Sequence, residues 1–137
     1  MRAAIRGVMM RWFRKAERRE IWDEEIQWPI GDIEAAKKIR DICRSAADSA
    51  ERIRGLAGPP TGRKDKYHAE RYERAAKAAM EIAMQISDDL MRDASVRQIV
   101  DLCMSANNLQ TARILFRAIQ AVSIREAAFG DHPALRA

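Results

Sequence analysis

Apolar side chains in this chain return every three or four residues, and turn-forming residues interrupt the rhythm at a few places. That spacing is the signature of amphipathic α-helices. No stretch alternates apolar and polar positions with β-branched side chains and Asn-Gly or Asp-Gly punctuation, so strands are not expected. The pattern predicts an all-α protein, a bundle of four to five helices built on a central antiparallel helical hairpin.

In the first segment Ile5, Val8, Met9, Trp12, Phe13 and Ala16 form one apolar stripe, which predicts a helix over about 3–27. Arg19 would meet Asp23 one turn further on. Pro29 ends this element, because the residue before a proline is pushed out of helical geometry. A second helix is expected to open at Asp32 as its N-cap, with Glu34 in the first turn, where the helix dipole favours an acid. Its positions Ala36, Ile39, Cys43, Ala46, Ala50 and Ile53 repeat as a heptad seam. Gly55, Gly58, Pro59 and Pro60 stop it.

A third helix is expected over about 66–93, with Tyr72, Ala76, Ala79, Ala83, Ile86 and Leu90 as a second heptad seam. Alanine lets two helix backbones approach closely, so the two seams are expected to face each other in the hairpin. Met80, Met84 and Met91 flank the second seam and read as adaptable core filler, or alternatively as a partner groove. Ser95 and Gln98 have capping-box spacing and are expected to open a short helix that "SANN" ends. Asn108 would cap a last helix to about residue 129. Its inward face is Leu109, Ala112, Leu115, Phe116, Ile119 and Val122; Arg113 and Arg117 lie on the outward face. Gly130 and Pro133 end it, leaving 130–137 as a flexible tail.

With 137 residues, the chain is expected to form a single helical domain over 1–137. A content of 47% apolar and 33% charged residues excludes a disordered composition. The formal net charge of +5 permits a polyanionic partner without requiring one. Seven basic residues fall among the first nineteen, against the single acid Glu17. Cys43 and Cys103 belong to no C-x-x-C pair and read as core thiols of a reducing compartment, which points to the cytoplasm. No apolar run approaches the roughly 18 residues of a membrane span, and the start lacks the apolar core of a secretory signal.

Candidate chemistry is sparse. There are two histidines, His68 and His132, and no Glu-x-x-His, so no metal site and no cofactor are expected. No serine sits in a Gly-x-Ser-x-Gly elbow. Asp88 and Asp89 are adjacent, so on a helix they would point about 100° apart and make a poor acid–base pair. An enzyme is therefore not expected.

Binding chemistry is richer. Arg11, Arg14, Lys15 and Arg18 are candidate phosphate contacts, with Arg63, Lys64 and Lys66 as a second patch and Arg113 and Arg117 as further candidates. Residues 95–120 have the length of a helix-turn-helix, whose second helix would offer Asn107, Asn108, Gln110, Thr111 and Arg113. Ile5, Met9, Trp12 and Phe13 are candidates for contact with a second copy or a helical protein partner. The leading expectation is a non-enzymatic, nucleic-acid-associated protein, a small regulator or accessory factor binding DNA or RNA. A protein–protein adaptor is the alternative. A membrane-surface protein with a basic amphipathic helix is the third.

Overall fold

The computed structural model describes residues 20–136. A 3-10 turn (Ile21–Asp23) and an extended strap precede α1 (Asp32–Arg54), α2 (Gly62–Ala83), α3 (Asp89–Ser105), α4 (Leu109–Ala118) and α5 (Val122–Asp131). A closing 3-10 turn covers Pro133–Arg136, and there is no strand among the described residues. The protein is an all-α bundle, as the periodicity predicts.

Side-chain pairs fix the sense of the central hairpin. Ser49 meets His68 and Arg52 meets Asp65 near the turn, whereas Lys38 and Ile42 share a cavity with Ala78 and Ile82 further away. Thus α1 and α2 are antiparallel. α3 lies across the hairpin, mainly against α1; α4 packs on α3, and α5 with the closing turn seals that side.

Because α1 is pressed by both α2 and α3, its buried stripe is wider than one heptad seam. Ala35, Ile39, Ile42, Ala46, Ser49 and Ala50 are buried, while Ala36, Cys43 and Ile53 are only partly so. On α2 the buried set is Tyr72, Ala75, Ala79, Ile82 and Ala83.

Three expected boundaries move. Residues 20–27 are not helical beyond the 3-10 turn. The acids expected to continue the first helix instead pin a strap to the hairpin: Glu20 pairs with Arg71, Asp23 with Arg74 and Glu24 with Lys38. Trp22 is thereby buried. The remainder of that predicted helix, 3–19, lies outside the described residues.

The helix expected over 66–93 breaks after Ala83. Asp88 is the N-cap of α3, its Oδ1 accepting from Met91 N–H at 2.8 Å. Asp32 is not the N-cap of its own helix. Its two carboxylate oxygens accept from the N–H groups of Ser87 (3.0 Å) and Asp88 (2.9 Å), so α1 caps the entry to α3. Ser95 lies buried inside α3, and no capping box forms there.

The helix expected from Asn108 to about 129 breaks at Ile119–Ala121 by the same device. The buried Asp93 offers Oδ2 to the N–H groups of Gln120 (3.2 Å) and Ala121 (2.8 Å). At each break a carboxylate from an older helix accepts from the backbone N–H groups of the new helix's N-cap residue and of the residue before it. The expected tail folds back instead. Leu135 is buried, and Arg113 Nε and Nη2 donate to Ala134 O at 3.1 and 2.9 Å.

The Asp32 contact has a pH signature. Two backbone donors hold its carboxyl below the usual aspartate value. A lowered folded pKa stabilises the protein at neutral pH, and the contribution disappears as pH falls below about 4. Asp32→Asn is expected to flatten the acid limb of a Tm series between pH 6 and 2. Parallel curves for variant and parent would contradict the bridge.

Candidate nucleic-acid interface

The α1–α2 turn gathers cations. Arg54 stands in the last turn of α1, where the exposed carbonyls and the helix dipole favour a positive charge. Arg63, Lys64 and Lys66 stand in the first turns of α2, where the same dipole disfavours them by a few tenths of a kcal/mol each. All four are exposed and make no ion pair among the described residues. Asp65 is the only acid in that first turn of α2, and Arg52 holds it at 3.5 Å.

Beneath this turn lies a polar layer organised by Arg71. Its Nε and Nη2 donate to the two oxygens of Glu20 at 2.7 and 3.1 Å, and Nη1 donates to Ser49 Oγ at 2.6 Å. Its guanidinium carbon lies 5.1 Å from the Trp22 ring centroid and 5.8 Å from that of Tyr67. Ser49 Oγ also shares a hydrogen bond with His68 Nδ1, 2.8 Å away. Burial and then Arg52, Arg71 and Lys64 push the His68 pKa down, with Asp65 opposing. His68 is therefore neutral at pH 7 and adds no charge to the patch.

This Ser–His contact is not a nucleophile–base pair. Ser49 is completely buried, and its oxygen already accepts a charged donor. The thiols are similarly quiet. Burial, Cys103 and Asp101 push the Cys43 thiol up to about 12, and burial raises Cys103 as well. No cluster of three or more potential metal ligands occurs among the described residues.

The candidate contacts separate into three groups. Arg11, Arg14, Lys15, Arg18 and the apolar Ile5, Met9, Trp12 and Phe13 lie outside the described residues. Arg63, Lys64 and Lys66 form the exposed turn. Arg113 and Arg117 do not join it. Arg113 is occupied by Ala134 O, and α4 starts at Asn108, whose amide donates to Tyr72 OH at 2.8 Å. From there Thr111 and Leu115 line a groove with Ala76 and Met80, so α4 runs away from the turn. Arg63 and Met80 are 17 residues apart on α2, about 25 Å along its axis at 1.5 Å per residue.

The corner between α3 and α4 is closed by backbone hydrogen bonds. Asn107 takes φ 57°, and the N–H groups of Asn107 and Asn108 donate to Met104 O and Cys103 O in a Schellman arrangement. Asn tolerates this left-handed conformation, which is why no glycine is needed. Of the five expected readers, Asn108 and Arg113 are engaged internally. Ile114 is 57% exposed in the middle of the outward face.

Three residues at or beneath the turn are absent from the sequence-based set: Arg54, Tyr67 and Arg71. The spacing of Tyr67 and Arg71 carried a signal. Tyr67 falls four residues after Arg63 and three after Lys64, and Arg71 four after Tyr67, so all lie on one helix face.

Charge bookkeeping changes the picture more than any single contact. The first nineteen residues hold seven of the 25 basic and one of the 20 acidic side chains, leaving 18 bases against 19 acids in the remainder. The bundle is thus charge-balanced, and the whole basic excess precedes it. Glu20, where that excess joins the bundle, is tied to Arg71, five residues or about 7.5 Å along α2 from Lys66.

No helix among the described residues is long and apolar enough to cross a membrane. Compared with models of protein families, with curated proteins and with solved structures, the chain matches none of them.

Proposed function

We propose that this protein is a non-enzymatic nucleic-acid-binding bundle, a small regulator or accessory factor that grips phosphates with its basic N-terminal segment and the α1–α2 turn. The observation that carries the reading is the charge partition: a balanced bundle, a seven-base leading segment, and the four exposed cations Arg54, Arg63, Lys64 and Lys66 near the point where that segment joins. Three of the four oppose the α2 dipole, so folding gives no reason for them. Rules of local stability are broken most often at functional positions. The footprint is Arg11, Arg14, Lys15, Arg18, Arg63, Lys64 and Lys66; Arg113 and Arg117 are left out. In this reading the protein works in the cytoplasm, where Cys43 and Cys103 stay reduced.

Fluorescence anisotropy with a labelled oligonucleotide tests it. Seven phosphate contacts give a log–log salt slope of about −6 on a duplex and about −5 on a single strand. Arg63→Ala/Lys64→Ala/Lys66→Ala and Arg11→Ala/Arg14→Ala/Arg18→Ala are each expected to weaken binding about tenfold and to flatten that slope. Arg117→Ala should leave both unchanged. Absence of binding at low salt, or a salt-independent affinity, would overturn the proposal. Retention on anionic vesicles with none on the oligonucleotide would favour the membrane-surface reading.

One observation favours a protein partner in addition. Ile33, Met84 and Leu90 are 79%, 69% and 61% exposed, and the Asp32 bridge to Ser87 and Asp88 brings their segments to the same end of the bundle, away from the basic turn. In the proposed arrangement, a second copy or a helical partner covers that end.

A further inference from the structure

We infer that the nucleic acid gripped at the α1–α2 turn is single-stranded, and that Tyr67 is the platform on which an unpaired base stacks. The inference rests on the proposed phosphate contacts and names the strand form they serve.

Tyr67 is 51% exposed, an unusual place to leave a large aromatic ring on a helix that has a core to bury it in. Its neighbours in sequence are Lys66 and His68, and Arg63 and Lys64 flank it one turn earlier. The ring is also held still. His68 meets it edge to face, with centroids 5.1 Å apart and planes at 74°, and Arg71 lies over it at 5.8 Å. Arg71 in turn is fixed by Glu20, Ser49 and Ser45 O, so the ring is pre-organised by the layer beneath it. Little rotamer entropy remains to be lost when a ligand stacks.

The chemistry selects the strand form. An exposed aromatic among cations offers an apolar, electron-rich face plus neutralisation of the adjoining phosphate, which is the recognition mode of unpaired bases. In a duplex the base faces are covered by their neighbours, so the ring would have nothing to stack on. The face from Arg63 to Arg71 spans eight residues, about 12 Å of helix. That suits one or two splayed nucleotides.

The test uses the full chain, a labelled single-stranded 20-mer of thymidine and a mixed-sequence duplex of the same length. Tyr67→Ala is expected to weaken single-strand binding about tenfold, with duplex affinity changed less than twofold and the salt slope unaltered. Tyr67→Phe should retain the parent's affinity, which separates stacking from any role of the hydroxyl. Circular dichroism of each variant reports whether the bundle is intact. Equal losses on both strand forms, or none on either, would overturn the stacking role and leave the phosphate grip standing. No binding of either probe by the parent protein at low salt would overturn both.

Discussion

Asp93→Ala is expected to lower the stability of the bundle by about 2–3 kcal/mol, and its Tm by roughly 6–15 °C for a chain of this size. Asp93 is 4% exposed, and one of its oxygens serves two backbone donors, Gln120 N–H at 3.2 Å and Ala121 N–H at 2.8 Å. Those donors belong to Ala121, the N-cap of α5, and to the residue before it, and Ala121 has no side-chain acceptor of its own. Removing the carboxylate leaves these two N–H groups without their acceptor and opens a small void at a buried position. The relief of a buried charge offsets part of the loss, which is why the figure stays below the sum of two charged hydrogen bonds. Asp93→Asn retains one carbonyl acceptor and is expected to cost about 1 kcal/mol. Urea denaturation gives the totals. Amide exchange locates the effect: Gln120 and Ala121 should lose protection first. An alanine variant melting with the parent would mean that α5 starts equally well on water.

That position also shows where the sequence was legible and where it was not. Helical periodicity survives because it depends only on the sequence of the element itself. The C-terminal stop of α1 at Gly55, the antiparallel hairpin and the Asn108 cap were readable from local pattern. The breaks at Met84–Asp88 and Ile119–Ala121 were not, because the acceptors that make them affordable come from Asp32 and Asp93, 55 and 27 residues away in sequence. Residues 20–27 misled for a related reason. "EIWDEE" has helical composition, but Arg71, Arg74 and Lys38 on the hairpin outcompete local helix formation. The cations of the candidate interface, Arg54 and Arg71 apart, were legible as basic runs. Tyr67 was hidden because its meaning depends on exposure, and exposure depends on which face α2 turns inward.

The hairpin itself makes the sharpest demand on side-chain size. Ala46, Ala50, Ala75, Ala79 and Ala83 are all 0% exposed, so the two longest helices meet through methyl groups. Ile39, Ile42 and Ile82, equally inaccessible or nearly so, fill the wider spaces between them. The seam should therefore resist change in both directions. Ile39→Ala removes three carbons from a fully enclosed site and is expected to cost about 3–4 kcal/mol, lost transfer energy plus the cavity left behind. Ala79→Leu adds three carbons where no space exists. It is expected to cost about 2–3 kcal/mol, because the helices must separate or the leucine must leave its rotamer wells. Ala94→Leu, the same change at an exposed position of α3, should stay within about 0.5 kcal/mol. Urea unfolding of the three variants decides the matter, with midpoints shifting and slopes unchanged if only the native seam is affected. A neutral Ala79→Leu beside a costly Ile39→Ala would mean that the helices stand further apart than alanine requires. Since Arg71, Ser49 and His68 bridge these same two helices, a wider spacing would also pull apart the layer that holds Tyr67 upright. The size of the seam residues and the grip proposed for the basic turn are in that sense linked.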